Sequence, residues 1–378
     1  MMRVLHITPE APGSLSGGKI GVKQSLYSLV DNKYVVDYVG PEIEEEEIRQ
    51  VYNHLYFLEP SNNLPLRIYD SLHMNTNRRY GAWKNLKLDM SGYDIILLEF
   101  TKLNYVLQHI PKEKLIVRVH NVEVDYSYQN FRHNKRLINL IDYIFAGIRE
   151  RQIVKSANML MVLTKKDKER LSKLYEIAEG SMEILPVCVR EPKDFSINHD
   201  YSGELKMLIN GSLWFGPNYE GIKWFLDNIF NKINFPKRLI IAGSKPNGEL
   251  IERVKRLENV ELVDSPVSME PYFLNTDISI APVFNGAGMK VKVAEALSYG
   301  LPVVGTTHAF EGYKITHGVD SYSSDDVQGF LHCINEYAKL SYEEKTLMRE
   351  RCFNLFRSFY SQSHSNQIFR QSIEALKS

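Results

Sequence analysis

Between residues 278 and 304 the chain reads Ile278-Ser279-Ile280-Ala281-Pro282, then Val283-Phe284-Asn285-Gly286-Ala287-Gly288-Met289-Lys290-Val291-Lys292-Val293-Ala294-Glu295-Ala296-Leu297-Ser298-Tyr299-Gly300-Leu301, then Pro302-Val303-Val304. A short apolar run, a glycine-rich turn, a segment of helical period and a second apolar run make a strand, turn, helix and strand, the repeating unit of a parallel α/β sheet. In open sheets of this kind ligands bind beyond the carboxyl ends of the strands, so the residues just past each strand carry the functional information. Here the glycine turn opens a helix, which offers free N–H groups and a positive dipole end to an anion. Lys290 and Lys292 flank that end, and Glu295 stands three residues beyond Lys292 in the same helical neighbourhood. A carboxylate accepts from two hydroxyls at once and so suits a ribose. One element is therefore expected to hold a phosphate and a neighbouring diol; solvated lysines and a Glu295 that only pairs or caps are the plainer alternative. No G-x-x-x-x-G-K-[ST] occurs, so the turn is not a Walker A loop, and a nucleotide is expected to be held mainly through its diphosphate.

The same pattern recurs along the 378 residues. Strands are predicted at 4–8, 34–39, 95–99, 115–119 and 159–163 in the first half, and at 206–209, 239–242, 260–263, 278–282 and 302–304 in the second. Residues 186–202 contain Pro192, charged residues and no periodic apolar face, which reads as a linker. At typical domain sizes this length favours two domains. The expected division is a domain over 1–190, a linker over 191–203, a second domain over 204–348 and a terminal helical segment over 349–378. Thr164 with Asp167, and Ser341 with Glu344, read as capping boxes that start helices. Trp224 and Phe225 read as core.

Composition narrows the class. There are 46 Lys+Arg against 46 Asp+Glu, 44% hydrophobic and 24% charged residues, the balance of an ordinary globular chain. Zero net charge argues against a dedicated nucleic-acid binder, and the composition excludes disorder. Cys188, Cys333 and Cys352 form no C-x-x-C pair, so neither a disulfide framework nor a zinc site is expected, and a reducing cytoplasm is the simplest location. No D-x-D, H-E-x-x-H or G-x-S-x-G occurs. The apolar stretch at the start of the chain is too short for a signal segment and reads as the first strand. The run 137–148 falls short of the ~18 residues a spanning helix needs, and Asp142 interrupts it.

Three more strand ends are informative. After the first strand comes Pro12-Gly13-Ser14-Leu15-Ser16-Gly17-Gly18-Lys19 and then a helical pattern over 20–30, so Gly17 and Gly18 open a helix beside a cation. Their spacing is not G-x-G-x-x-G, and a surface loop is the alternative reading. After strand 115–119 stands His120-Asn121-Val122-Glu123, which puts an imidazole at the rim of the sheet. There it is either structural or a donor to a sugar hydroxyl or phosphate, with Glu123 as a cap or orienting partner. Thr306-Thr307-His308-Ala309-Phe310-Glu311-Gly312 comes after the last strand and is expected to line the same cleft as the glycine turn.

The stretch from Asn285 to Pro302, together with the adjoining Val303-Val304-Gly305-Thr306-Thr307, resembles the Gly-rich, Lys, Glu-Ala, Gly-x-Pro-Val-Val signature of GT-B glycosyltransferases of the group 1 or family 4 type. Ser16-Gly17-Gly18, His120-Asn121-Val122-Glu123, Gly211-Ser212 with Pro217-Asn218 and Gly221, and Glu311-Gly312 fall in the order that family shows. The resemblance implies an α/β fold of two Rossmann-like domains facing across a cleft, with the donor held mainly by the second domain, the acceptor mainly by the first, and a final helix that crosses back. It implies that Glu295 holds the ribose, that Lys292, Lys290 and the turn at Gly288 and Met289 hold donor phosphates, that Gly17 and Gly18 approach those phosphates, and that His120 is the catalytic histidine reaching the transferred sugar. Two positions depart from the pattern. Ala287 stands eight before Glu295, where many retaining members carry the first Glu of E-x7-E, and Ser212 and Glu220 stand near the places of a frequent basic pair.

The implied function is transfer of a sugar from a nucleoside-diphosphate donor to a glycan or glycolipid acceptor in bacterial surface polysaccharide synthesis, with retention, no metal and no cofactor beyond the donor. Arg132, Lys135, Arg136, Arg149 and Arg151 around the apolar run 137–148 add an expectation of peripheral contact with an anionic membrane, against the alternative of a buried helix with basic ends. The rival functions are a non-catalytic partner subunit, suggested by Ala287, and a GT-B sugar-nucleotide epimerase.

Overall fold

Ile96 and Leu98 pack with Leu5, Ile7, Val117 and Val119, while Ile95 and Leu97 pack with Val4, Val36 and Ile116 in a separate core. Successive side chains of a strand point to opposite faces, so a sheet with a core on each side needs strands that are apolar at every position. The unbroken runs in the sequence have this cause. The computed structural model describes residues 2–376 apart from 15, 73, 75, 76, 87, 193–198 and 202, so Leu15 and much of the expected linker lie outside the described residues.

The chain divides into two units, Met1–Pro186 with Ser365–Ser378, and Val187–His364. The first contains β1 (Arg3–Ile7), β2 (Val35–Gly40), β3 (His54–Phe57), β4 (Ile95–Glu99), β5 (Leu115–Val119), β6 (Met159–Val162) and β7 (Met182–Ile184). They form one parallel sheet in the order β3-β2-β1-β4-β5-β6-β7, with Ile7 opposite both Val39 and Leu98. The second contains β8 (Leu205–Ser212), β9 (Lys237–Ser244), β10 (Val260–Asp264), β11 (Ile278–Ala281), β12 (Val303–Gly305) and β13 (Tyr322–Ser323). Its order is β10-β9-β8-β11-β12-β13, again parallel, with Met207 opposite Leu239 and Ile278. In each sheet the order reverses beside its first strand, between β1 and β4 and between β8 and β11. Connections leave such a point in opposite directions and open a crevice at the carboxyl ends.

All ten predicted strands are present; β3, β7 and β13 are additional. Thr164 caps the helix Lys165–Tyr175 by accepting from the Asp167 amide at 3.0 Å, and Ser341 with Glu344 forms a complete capping box. The segment expected as one terminal helix is two, Tyr342–Phe359 and Gln362–Ala375. Val189 separates them: its N–H donates to the Tyr360 carbonyl and its carbonyl accepts from the Gln362 N–H, both at 2.9 Å. From Ser365 onward the last helix belongs to the first unit, where Ser365 Oγ meets Gln24 Nε2 at 3.0 Å and Phe369 and Ile373 complete the core around Leu26 and Leu29. All three cysteines are buried, and none forms a disulfide.

Candidate active site

The crevice of the second unit lies between β8 and β11. Gly286 and Gly288 both take positive φ, 107° and 70°, which lets the chain turn sharply from β11 into the helix Val291–Ser298. No side chain caps that helix, so its first amides and positive end stay available to an anion. Lys292 points from its first turn toward the end of β8 and donates to Asn218 Oδ1 at 2.8 Å; Asn218 in turn donates to the Ser212 carbonyl at 3.0 Å. Burial lowers the Lys292 amine to about 8, against the pull of the Glu295 charge. Glu295 accepts from Asn210 Nδ2 at 3.1 Å, and burial raises its carboxyl despite Lys292 and that bond. Asn210 Oδ1 is buried without a partner among the described residues. A cation, a carboxylate and an uncapped helix start therefore meet at one strand-order reversal, which is the chemistry of a diphosphate beside a diol.

The other expected residues of this turn are placed differently. Lys290 folds back onto its own turn, donating to the carbonyls of Gly286 at 3.3 Å and Gly288 at 2.5 Å. Met289 is buried, and its sulfur accepts from the Val187 N–H at 3.5 Å, so toward the crevice it offers only backbone. The segment after β12 braces the turn from the side: His308 Nε2 donates to the Gly286 carbonyl at 2.7 Å, and Tyr313 Oη donates to the Lys290 carbonyl at 2.8 Å. Sequence pattern alone does not single out Tyr313 or Asn210, and it places Asn218 in a motif without assigning it a role. Phe225 is core, while Trp224 is partly buried and packs on the core edge-on to Phe284 and Phe330.

In the first unit the crevice lies between β1 and β4. Gly17 and Gly18 form the first turn of the helix Gly17–Asp31, capped by Ser16, which accepts from the Lys19 amide at 3.3 Å; Gly18 backs onto Glu10 and Phe100. His120 comes directly after β5 and is buried. Its Nε2 donates to Glu99 Oε2 at 2.5 Å, and its ring stacks on Phe100 at 4.0 Å. Glu99 also accepts from His6 Nε2 at 3.0 Å, and His6 Nδ1 meets Tyr52 Oη at 3.0 Å. Burial works to raise the Glu99 carboxyl, but the bonds from His120 and His6 and the nearby cations hold it well below the usual range. Burial lowers His120 against the pull of Glu99. The remaining edge of the imidazole faces Gly21, where a Cβ would stand 2.5 Å from Cε1 and 2.7 Å from Nδ1. Lys102 lies 3.5 Å from Glu123 and 3.8 Å from Glu10, so the rim beyond the histidine is a cation between two carboxylates. Glu99, Gly21 and Lys102 escape a reading of the sequence because each is a neighbour through strand order only. Among the described residues no group of three or more His, Cys, Asp or Glu side chains is placed to hold a metal ion.

The family described as Glycosyl transferases group 1 matches residues 204–339, which span the glycine turn, Lys292 and Glu295. The second unit is a group 1 glycosyltransferase domain, and the chain a glycosyltransferase. This glycosyltransferase is 23% identical over 396 residues to an uncharacterized 44.6 kDa protein in the cps region of Klebsiella pneumoniae, with 98% of each covered. Its fold is GT-B. It resembles sucrose-phosphate synthase from Thermosynechococcus elongatus with a TM-score of 0.71 at 12% identity, over 99% of this chain and 100% of that one. It resembles WaaG, a glycosyltransferase involved in lipopolysaccharide biosynthesis, with a TM-score of 0.70 at 13% identity, over 97% and 98%. Anabaena HepE in complex with UDP and glucose matches with a TM-score of 0.66 at 12% identity, over 99% and 100%.

Proposed function

We propose that this glycosyltransferase moves a sugar from a nucleoside-diphosphate donor to a hydroxyl of a glycan or glycolipid in the synthesis of a bacterial surface polysaccharide. The observation that carries the reading is the meeting of Lys292, Glu295 and the uncapped start of the helix Val291–Ser298 at the β8–β11 crevice. In the transfer the bond from the anomeric carbon to the diphosphate breaks and one to the acceptor oxygen forms, the acceptor's proton leaving with the diphosphate. Negative charge grows on the leaving group, and a partly buried ammonium beside helix-end amides is suited to meet it. This division of labour needs no resident metal. Retention accompanies the family resemblance, and His120 is the histidine we assign to the transferred sugar. The HepE complex and the cps-region relative support donor class and setting respectively.

For the acceptor we favour a lipid-linked glycan. The helix Leu137–Ser156 leaves Leu137, Ile138, Ile141, Ile144 and Ile148 exposed, at spacings that fall on one side, with Arg132, Lys135 and Arg136 exposed just before it. Arg149 is not part of that surface: it is buried and donates to the Met74 carbonyl at 2.7 Å. Among the described residues no helix is long and apolar enough to cross a membrane. The deciding experiment is calorimetry of UDP, GDP and ADP with the wild type and Lys292→Ala, with and without chelator. One diphosphate should bind in a chelator-insensitive way and lose affinity in the variant. Equal affinity in both proteins would remove the site, and no binding by either would favour the partner-subunit reading.

A further inference from the structure

Four polar side chains form an unbroken line through the inside of the first unit, and it ends at His120. Tyr52 Oη meets His6 Nδ1 at 3.0 Å, His6 Nε2 meets Glu99 Oε1 at 3.0 Å, and Glu99 Oε2 meets His120 Nε2 at 2.5 Å. His6 is on β1, Glu99 on β4 and His120 directly after β5, three neighbours in the sheet, so the line crosses the reversal of strand order. His6 and Glu99 are fully buried. A buried charge of this kind adds little stability that apolar side chains of the same volume would not supply, so stability does not account for the line.

The bonds fix every proton in it. Glu99 is kept ionised by its two imidazole partners and the nearby Arg118 charge, and a carboxylate only accepts, so both Nε2 atoms that meet it carry protons. His6 then accepts through Nδ1 from the Tyr52 hydroxyl, whose proton burial retains. Burial keeps His120 neutral, which leaves it a bare Nδ1, an acceptor with no hydrogen-bond partner among the described residues. The backbone opposite that nitrogen is Gly21, which has no side chain to cover it and is itself tied down: Arg118 donates to the Gly21 carbonyl at 2.5 Å and to Ser25 Oγ at 2.6 Å. An imidazole in this form takes a hydrogen bond from a hydroxyl and gives none to a phosphate oxygen. We propose, on the reading that the chain uses a nucleoside-diphosphate sugar and that His120 meets it, that Glu99 is a positioning residue: backed by His6 and Tyr52, it holds the His120 ring with Nε2 protonated so that Nδ1 accepts from a hydroxyl of the sugar. The line then serves the sugar and not the diphosphate.

The test uses the full chain as wild type, Glu99→Leu, Glu99→Gln and His120→Ala, titrated calorimetrically with the best-bound of UDP, GDP and ADP and with its glucose and galactose conjugates. Melting temperatures check the fold. His120→Ala and Glu99→Leu should each weaken the preferred conjugate about fivefold, the effect of one hydrogen bond, and leave the free diphosphate within about twofold of wild type. The double variant should lose no more than either single one, and Glu99→Gln, which still bonds to the ring, should lose less than Glu99→Leu. Nitrogen NMR of histidine-labelled wild type needs no buried substitution: the His120 ring, identified by its absence in His120→Ala, should be protonated at Nε2 and bare at Nδ1. A ring protonated at Nδ1 overturns the proposal. So does a folded Glu99→Leu that binds the conjugate as wild type does, losses that add in the double variant, or equal weakening of conjugate and free diphosphate. If His120→Ala itself binds the conjugate as wild type does, the sugar contact is wrong while the transferase reading stands. A wild-type chain that binds no diphosphate and no conjugate overturns both.

Discussion

Lys292 and Gly21 show how much depends on single atoms. Burial brings the Lys292 amine to about 8, so below that pH the group is charged and above it neutral. A bound diphosphate favours the charged form, and its affinity is expected to be highest below pH 8 and to fall by up to about tenfold for each further unit, one proton being taken up on binding. Calorimetry at pH 7 and pH 9 tests this, and Lys292→Arg should flatten the dependence because guanidinium stays charged throughout. At Gly21 two effects compete. Alanine in a helix is favoured over glycine by about 1 kcal/mol, but here its methyl would overlap an imidazole fixed by Glu99 and Phe100. Overpacking costs about 1–3 kcal/mol, so Gly21→Ala should lower stability in urea denaturation. Gly17, Gly18, Lys292 and Glu295 stand out as candidates in the sequence because their motifs lie at strand ends. The sequence did not disclose Glu99, which is 21 residues from His120 in the chain. Only the parallel pairing of β4 with β5, Glu99 opposite Arg118, brings them together.

At the scale of the element, the inner strands were legible, while of the four edge strands only β10 was. Strands β1, β4, β5 and β6 are paired on both sides and covered on both faces, so their sequences are mostly apolar, with His6, Glu99 and Arg118 as buried polar exceptions. Strands β3, β7 and β13 pair on one side only, and β3 and β7 leave side chains part-exposed, so neither an apolar run nor an alternation marks them. The helix Glu123–His133 begins where the sequence offered Glu123 as a cap, but its cap comes from another helix. Glu150 accepts from the Glu123 amide at 2.7 Å, the Val124 amide at 3.2 Å, Tyr175 Oη at 2.8 Å and Thr101 Oγ1 at 3.2 Å. Glu150→Ala leaves these buried donors unpaired, and a loss on the order of 3 kcal/mol is expected in denaturant unfolding. Burial also lifts the Glu150 carboxyl to about 7, above its value in the unfolded chain. The stability linked to this proton is therefore full below about pH 4 and lost as pH rises through 7. Glu150→Gln should accordingly show a smaller fall in Tm between pH 5 and pH 8 than wild type.

At the scale of the whole molecule, the first unit is built from both ends of the chain. Ser365 bonds to Gln24 across 341 residues of sequence, and Phe369 and Ile373 sit fully within its core. A chain ending at Ser361 would lack those two side chains and uncover the Leu26 and Leu29 surface they cover. Each fully buried large apolar side chain contributes about 1.5–3 kcal/mol, so the truncated protein should show an early calorimetric transition for the first unit. The second unit's own transition should hardly move, since its core residues lie between 205 and 348. This arrangement also sets the order of events at the ribosome. The first 186 residues emerge before the other unit does, yet they wait for the last fourteen positions before their core can close. During that wait an unsealed apolar surface around Leu26 and Leu29 is open to chaperones and to aggregation. A premature stop codon ahead of Phe369 would harm the half of the protein that was made first.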